Sequence, residues 1–320
     1  CFVMKNICCS IMTFIIVANF LSCTTTDYPP ESEITSIDYV THNTVIILSA
    51  VTEEPTYYGI KGVVYSLSPE PTIEDIVPEH HEIGDTIRIP VSGLEPNTTY
   101  FVRPYTQNID GITYGEERSF TTDAVNIFTD VRDGKTYTEI EIYDQVWMGE
   151  NMRYEIEGMS LPVKNHQELL DDERLGLLYP IEVCEDVCPS GWHLPTDQDW
   201  NTLESAISMP PGLVDSNSLQ ATYAYSIREP GKRHWSYDND SITNIYGFTA
   251  LPAGLCDANG YNDRYGYYGY YWTAPENDSI YHNRIIGKYN NQNPQIYRHT
   301  RYSSSNNINY YISVRCIKDN

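Results

Sequence analysis

Basic side chains are scarce in this chain: 20 Lys and Arg stand against 44 Asp and Glu, a formal charge of −24 at pH 7. Phosphate binding needs clustered cations, so nucleic acid is not an expected partner. The acid is spread along the chain, with 17 acidic and 4 basic residues over 24–125, and 27 and 15 over 126–320. Neither part is a basic counterpart for the other, and a well-solvated surface accounts for the excess. Phe is rare, 7 residues against 28 Tyr, which shifts the aromatic set toward rings with a polar tip that suit half-buried or binding surfaces. No apolar run is long enough to span a bilayer comfortably; the longest, Ile7 to Phe20, is short. Cysteine is missing between Cys23 and Cys184, so whatever folds there is held by burial alone. Abundant turn formers and only 20% charged residues fit a β-rich exported protein.

Met4-Lys5-Asn6 ahead of Ile7–Phe20 reads as a secretory signal. Phe20-Leu21-Ser22-Cys23 resembles a bacterial lipoprotein cleavage site, with Phe20 where Leu is usual. That resemblance implies a lipid on Cys23 and an address at the outer membrane or cell surface. Residues 1–23 are therefore expected to be the signal and 24–33 a polar tether containing Pro29 and Pro30.

Residues 34–123 alternate apolar and polar in short runs such as Thr44–Leu48, Gly62–Tyr65, Thr86–Pro90 and Tyr100–Tyr105, as strands do. Seven or so strands over this length suit a β-sandwich. Gly93–Tyr100 and Ser119–Thr122 resemble segments of fibronectin type III domains, which implies a spacer. His80 and His81 point to opposite faces if extended and are not expected to share an ion.

The last 195 residues, 126–320, are organised around Cys188-Pro-Ser-Gly-Trp-His-Leu-Pro-Thr196. Thr196 and Asp199 have capping-box spacing, and Trp200, Leu203, Ala206 and Ile207 continue one apolar face, predicting a helix of about three turns. Asp133-Gly134-Lys135 predicts a turn and Tyr137 to Trp147 a hairpin, with Trp147, Met148 and Met152 in the core. Gln167–Glu173 reads as a short helix with a solvated acidic patch. Four cysteines, Cys184, Cys188, Cys256 and Cys316, give an even count that predicts two disulfides, with three pairings open.

The Cys188–Thr196 block, together with Asp133–Tyr137, Gln145–Met148, Glu150-Asn151, Tyr246–Phe248, Leu251–Gly254 and Ser313–Cys316, resembles the Fibrobacter succinogenes major paralogous domain. The resemblance implies a C-type-lectin-like fold, and it favours pairing Cys188 with Cys316, which leaves Cys184 for Cys256. No general activity comes with it. The related formylglycine-generating enzymes use reactive cysteines with copper; with all four sulfurs expected in disulfides, no oxidase and no cofactor are expected here.

Other chemistry is thin. His193 lacks a nucleophile with an oxyanion-hole context and reads as a packed histidine bonded to backbone. Asp197 and Asp199 complement the helix dipole. Asp257–Asp263 shares the start of a calcium loop but lacks the closing Glu, and Pro275–Asp278 has lectin-like residue types in another order; both read as turns. The richest region is Tyr261–Tyr311, where Tyr, Asn, Ser and Gly mix as in antibody paratopes. Tyr265, Tyr267, Tyr268, Tyr270, Trp272, Tyr297, Arg298 and Tyr302 are the expected contacts for a glycan or surface-protein ligand. A structural part in a surface assembly is the alternative, and behind it an oxidase of the formylglycine-generating type.

Overall fold

The computed structural model describes residues 29–52, 60–78, 86–165, 168–207, 223–237, 243–276, 280–288, 294–302 and 310–319. The signal, Cys23, His80-His81 and the Ser303–Asn307 run lie outside these residues.

The first part is a sandwich of two antiparallel sheets. Strands β1 (Ser32–Asp38), β2 (Thr44–Val51) and β4 (Thr86–Ser92) make one sheet in the order β1-β2-β4. Strands β3 (Ile60–Ser66), β5 (Thr99–Asn108), β6 (Gly111–Tyr114) and β7 (Arg118–Thr121) make the other, with β6 and β7 both on β5. Val45, Ile47, Val63, Ile87, Ile89 and Val102 fill the space between them. Tyr100 turns its hydroxyl back to accept from the Glu95 N–H at 2.9 Å, tying the loop before β5 to the strand. The first strand begins at Ser32, inside the expected tether, and the carbonyls of Pro29 and Pro30 accept from Thr113 and Thr106.

The second part holds one two-stranded sheet and two large ones. One has the order β15-β22-β10-β9-β8, from β8 (Asn126–Thr129), β9 (Thr136–Ile142), β10 (Gln145–Met148), β15 (Trp192–His193) and β22 (Ile317–Lys318). The other runs β11-β14-β21-β18-β19-β20, from β11 (Leu161–Pro162), β14 (Leu177–Tyr179), β18 (Tyr268–Trp272), β19 (Ile280–Lys288), β20 (Pro294–Tyr302) and β21 (Tyr310–Ser313). Hairpin β16 (Leu255–Asp257) with β17 (Asn262–Asp263) joins it through β21, and β12 (Lys164–Asn165) with β13 (Glu168–Leu169) forms a separate two-stranded sheet. The chain is thus mostly β, as composition implied. The expected helix at 167–173 is absent; β13 and a 3-10 turn at Glu173–Leu175 stand there instead. Strands β21 and β22 lie in different sheets, and Val314-Arg315-Cys316 crosses between them.

Helix α1 (Cys184–Val187) is one turn, and α2 (Asp197–Ala206) is the expected helix. Thr196 accepts from the Asp199 N–H, and Asp199 accepts from the Thr196 N–H at 2.8 Å, so the capping box is complete. Trp200 and Leu203 face a core with Trp147, Phe248 and Tyr271.

The sandwich is not a spacer hanging off this core. Alternate residues of β2 serve two interiors: Val45 and Ile47 face the sandwich, whereas Ile46 and Leu48 join the core of the second part. A strand buried on both faces reads as a continuous apolar run, and Val45–Leu48 is one. Thr44 Oγ1 donates to the Ile245 carbonyl at 2.9 Å, and the Tyr39 hydroxyl to that of Glu141 at 2.9 Å.

Candidate ligand-binding cleft

Cys188 and Cys316 form a disulfide, as the resemblance implied, closing 128 residues of chain between the start of the organising block and the crossing segment. Cys184 and Cys256 do not pair; both are free and buried. Cys184 packs with Tyr179, Val187 and Cys316, whereas Cys256 lies in a separate apolar cluster with Val163, Leu178 and Leu251. Parity predicted a bridge, but tertiary packing sends the two sulfurs to different interiors. Burial pushes both thiols up, Cys256 to about 11, which disfavours thiolate chemistry at neutral pH.

The side chains of α2 hold β19 and β20 from beneath. Arg284, 0% exposed, donates to Asp197, Asn201 and Glu204 at 2.6, 2.8 and 2.6 Å. Arg298 donates to the second oxygen of Asp197 at 2.6 Å. Asp197 therefore does more than complement the helix dipole, and Arg298, expected to contact ligand, is committed to the scaffold. His193 bonds carboxylates and not backbone: Nδ1 lies 2.7 Å from Asp319 and Nε2 3.2 Å from Asp199. It clamps β15 to α2 and the C-terminal segment. Arg315, fully buried, donates to Asn151 at 2.7 Å and to the Phe248 carbonyl, with its guanidinium over the Phe248 ring.

The aromatic stretch is divided by the pleat of β18. Tyr268, Tyr270 and Trp272 fall on one face, within the core that contains Met148, Tyr179 and Val314. Tyr271 falls on the other, against Trp200 and Phe248. Tyr268, Tyr270 and Trp272 are structural, contrary to their expected place on a ligand-binding face, because β18 is an interior strand covered on both sides. Tyr297 is half-buried against the same core, and the side chain of Tyr302 lies outside the described residues. What stays outward is the Tyr261–Tyr267 loop: Tyr261 and Tyr267 are 59% and 52% exposed, and Tyr265 is half-buried. Asp257 at its base accepts from the backbone N–H groups of Tyr261 and Asn259, both at 2.9 Å, so it is a turn residue. The Tyr261 bond holds its carboxyl below the usual range. Among the described residues no group of three or more His, Cys, Asp or Glu is arranged to hold a metal ion.

A cleft of about 360 Å³ opens between residues 153–163 and 170–177. Val163, Leu170, Leu175 and Pro162 give it an apolar floor; Arg153, Glu155, Ser160, Asp171 and Asp172 supply polar walls. Val163 and Leu175 belong to the apolar cluster against which Tyr265 packs, so that ring is brought to the neighbourhood of the cleft. Gly176 on its wall has φ +72°, and a Cβ there would sit 2.6 Å from the Met152 carbonyl, so only glycine lets these segments approach.

Behind the wall is an ion cluster invisible in the sequence. His234 is buried with Nε2 2.9 Å from Asp172 and Nδ1 2.8 Å from Glu229. Arg174 reaches Asp172 at 3.0 Å and Glu229 at 3.4 Å. The supposed solvated acidic patch thus contributes a structural carboxylate. Burial alone would raise the Asp172 carboxyl, but hydrogen bonds from Arg174 and the nearby charges hold it at about 2. A carboxyl below its unfolded value of about 3.9 stabilises fully above that pH, and the contribution is lost as pH falls toward 2. Asp172→Asn is expected to flatten the acid limb of melting temperature between about pH 4 and 2. Melting curves of both forms across that range check this, and an unchanged acid slope would refute it.

A disulfide-closed, mostly β head packed on a β-sandwich, with a mixed polar and apolar cleft on the head, is the class of protein these features define. The chain belongs to the Fibrobacter succinogenes major domain family, which it matches over residues 140–318. No curated protein matches it. Two solved structures from Pseudobacteroides cellulosolvens are similar over part of the chain, both of the sensor domain of the anti-sigma factor RsgI4. The short form is 19% identical with a TM-score of 0.24, covering 30% of this chain and 96% of that one. The solution structure is 14% identical with a TM-score of 0.25, covering 45% and 99%. Neither likeness bears on what this chain does.

Proposed function

We propose that this chain is a non-catalytic binding module of the cell envelope, anchored by lipid on Cys23, whose C-type-lectin-like head takes a glycan in the 153–177 cleft. The single observation that carries this is the cleft's lining. Its apolar floor suits the CH face of a sugar ring, while Glu155, Asp171 and Ser160 offer acceptors to hydroxyls without covalent chemistry. The backing is rigid, because Asp172 and His234 are tied into the ion cluster. A protein ligand is the second reading, favoured by exposed Tyr261 and Tyr267, since Tyr gives rigid contact area at low entropic cost.

Glycan and protein arrays probed with the intact chain, with and without calcium, test the first reading. A glycan should bind regardless of calcium, and Glu155→Ala with Asp171→Ala should weaken it about tenfold, or 1.4 kcal/mol, with an unchanged melting temperature. Binding only to proteins, and lost with Tyr261→Ala and Tyr267→Ala, would move the assignment to the loop. Glycan binding indifferent to the cleft pair would defeat it.

A further inference from the structure

The junction of sandwich and head carries a second cleft, also about 360 Å³, that shares no residue with the first. The sandwich contributes Tyr39, His42 and Asp123; the head contributes Glu139, Glu141 and Tyr143. We propose that this seam binds an organic cation, the guanidinium or ammonium of a basic peptide side chain.

Charge is the first ground. Three of these lining residues are carboxylates, and no Lys or Arg lines the cleft. His42 adds no compensating charge at neutral pH, since burial lowers its pKa against the pull of Asp123 and Glu150. Glu139 is already paired from outside the lining, with Lys318 Nζ 2.9 and 3.0 Å from its two oxygens.

Aromatic faces are the second. Tyr39 and Tyr143 place their ring centroids 5.7 Å apart, and Tyr143 is 55% exposed. A cation over such a ring gains roughly 0.5–1 kcal/mol at an exposed site. The third ground is rigidity. Burial of Ile46 and the Thr44–Ile245 and Tyr39–Glu141 bonds fix the two walls relative to each other, so the cleft is preformed. Domain junctions are favoured places for such sites.

Titrating the intact chain with N-acetyl-arginine amide, and with its neutral isostere N-acetyl-citrulline amide, tests this by calorimetry or NMR. Saturable binding of the arginine compound is expected, about tenfold tighter than the isostere. Asp123→Asn with Glu139→Gln should remove most of that difference. Tyr143→Ala, at an exposed ring, should cost about two- to fivefold, and it keeps the test open if the carboxylate pair proves unstable. Lys318→Gln, which releases Glu139, should tighten binding. Equal binding of both compounds, or arginine binding untouched by the Tyr143 and carboxylate variants, overturns the proposal. Failure here leaves the glycan cleft standing, and failure there leaves this seam standing.

Discussion

Replacing Cys188 and Cys316 with Ala is expected to lower the melting temperature by roughly 10–20 °C. The bridge closes 128 residues. Loop-closure entropy alone assigns such a cross-link about 5 kcal/mol, before any strain is subtracted. A domain of about this size loses roughly 2–4 °C per kcal/mol. The effect should fall on the head as a whole, because Cys316 sits where the chain passes from β21 to β22 and so ties the two sheets to the end of α1. Calorimetry of the Ala pair measures it. Thiol titration of a chain starting after Cys23, unfolded without reductant, should then count the two free cysteines, Cys184 and Cys256, with neither reactive before unfolding. A count of four would remove the cross-link from the account.

The second large effect is expected at Arg284. Its guanidinium is wholly buried and meets Glu204, which is nearly so. Removing one partner of a buried pair leaves an unpaired charge and costs about 3–5 kcal/mol. Arg284→Met and Glu204→Gln should each be destabilising on that scale by urea unfolding. The double substitution Arg284→Met with Glu204→Met should cost less than the sum, since it replaces two buried ions by apolar groups. Asp197 keeps Arg298 as a partner throughout, which isolates the inner pair. Strict additivity would mean that the two groups act independently and that Arg284 is held by Asp197 and Asn201 without help from Glu204.

The features read correctly in advance rest on local signals. The capping box at Thr196 and Asp199 needs only neighbouring residues, and so does the hairpin from Tyr137 to Trp147. The Cys188–Cys316 pairing followed from family motifs and not from spacing. Misreadings arose where a residue's partner is remote. Arg284, Arg298 and Arg315 carry no mark of burial in the sequence, because Arg is usually exposed unless paired and their partners lie 66 to 164 positions away. Asp172 and His234, 62 positions apart, meet only through the fold. The Tyr268–Trp272 run resembled a contact surface because composition cannot say how many sheet faces are covered; β18 turned out to be interior, so both faces are core.

Periodicity, caps and motifs, which neighbouring residues carry, are enough to establish the β-rich class, the helix at the organising block and the family. Three-dimensional packing was needed to show that Cys184 and Cys256 stay apart, which tyrosines face water, and that the sandwich shares a core with the head. Those outcomes depend on distances between segments far apart in the chain, and a local pattern holds no record of them.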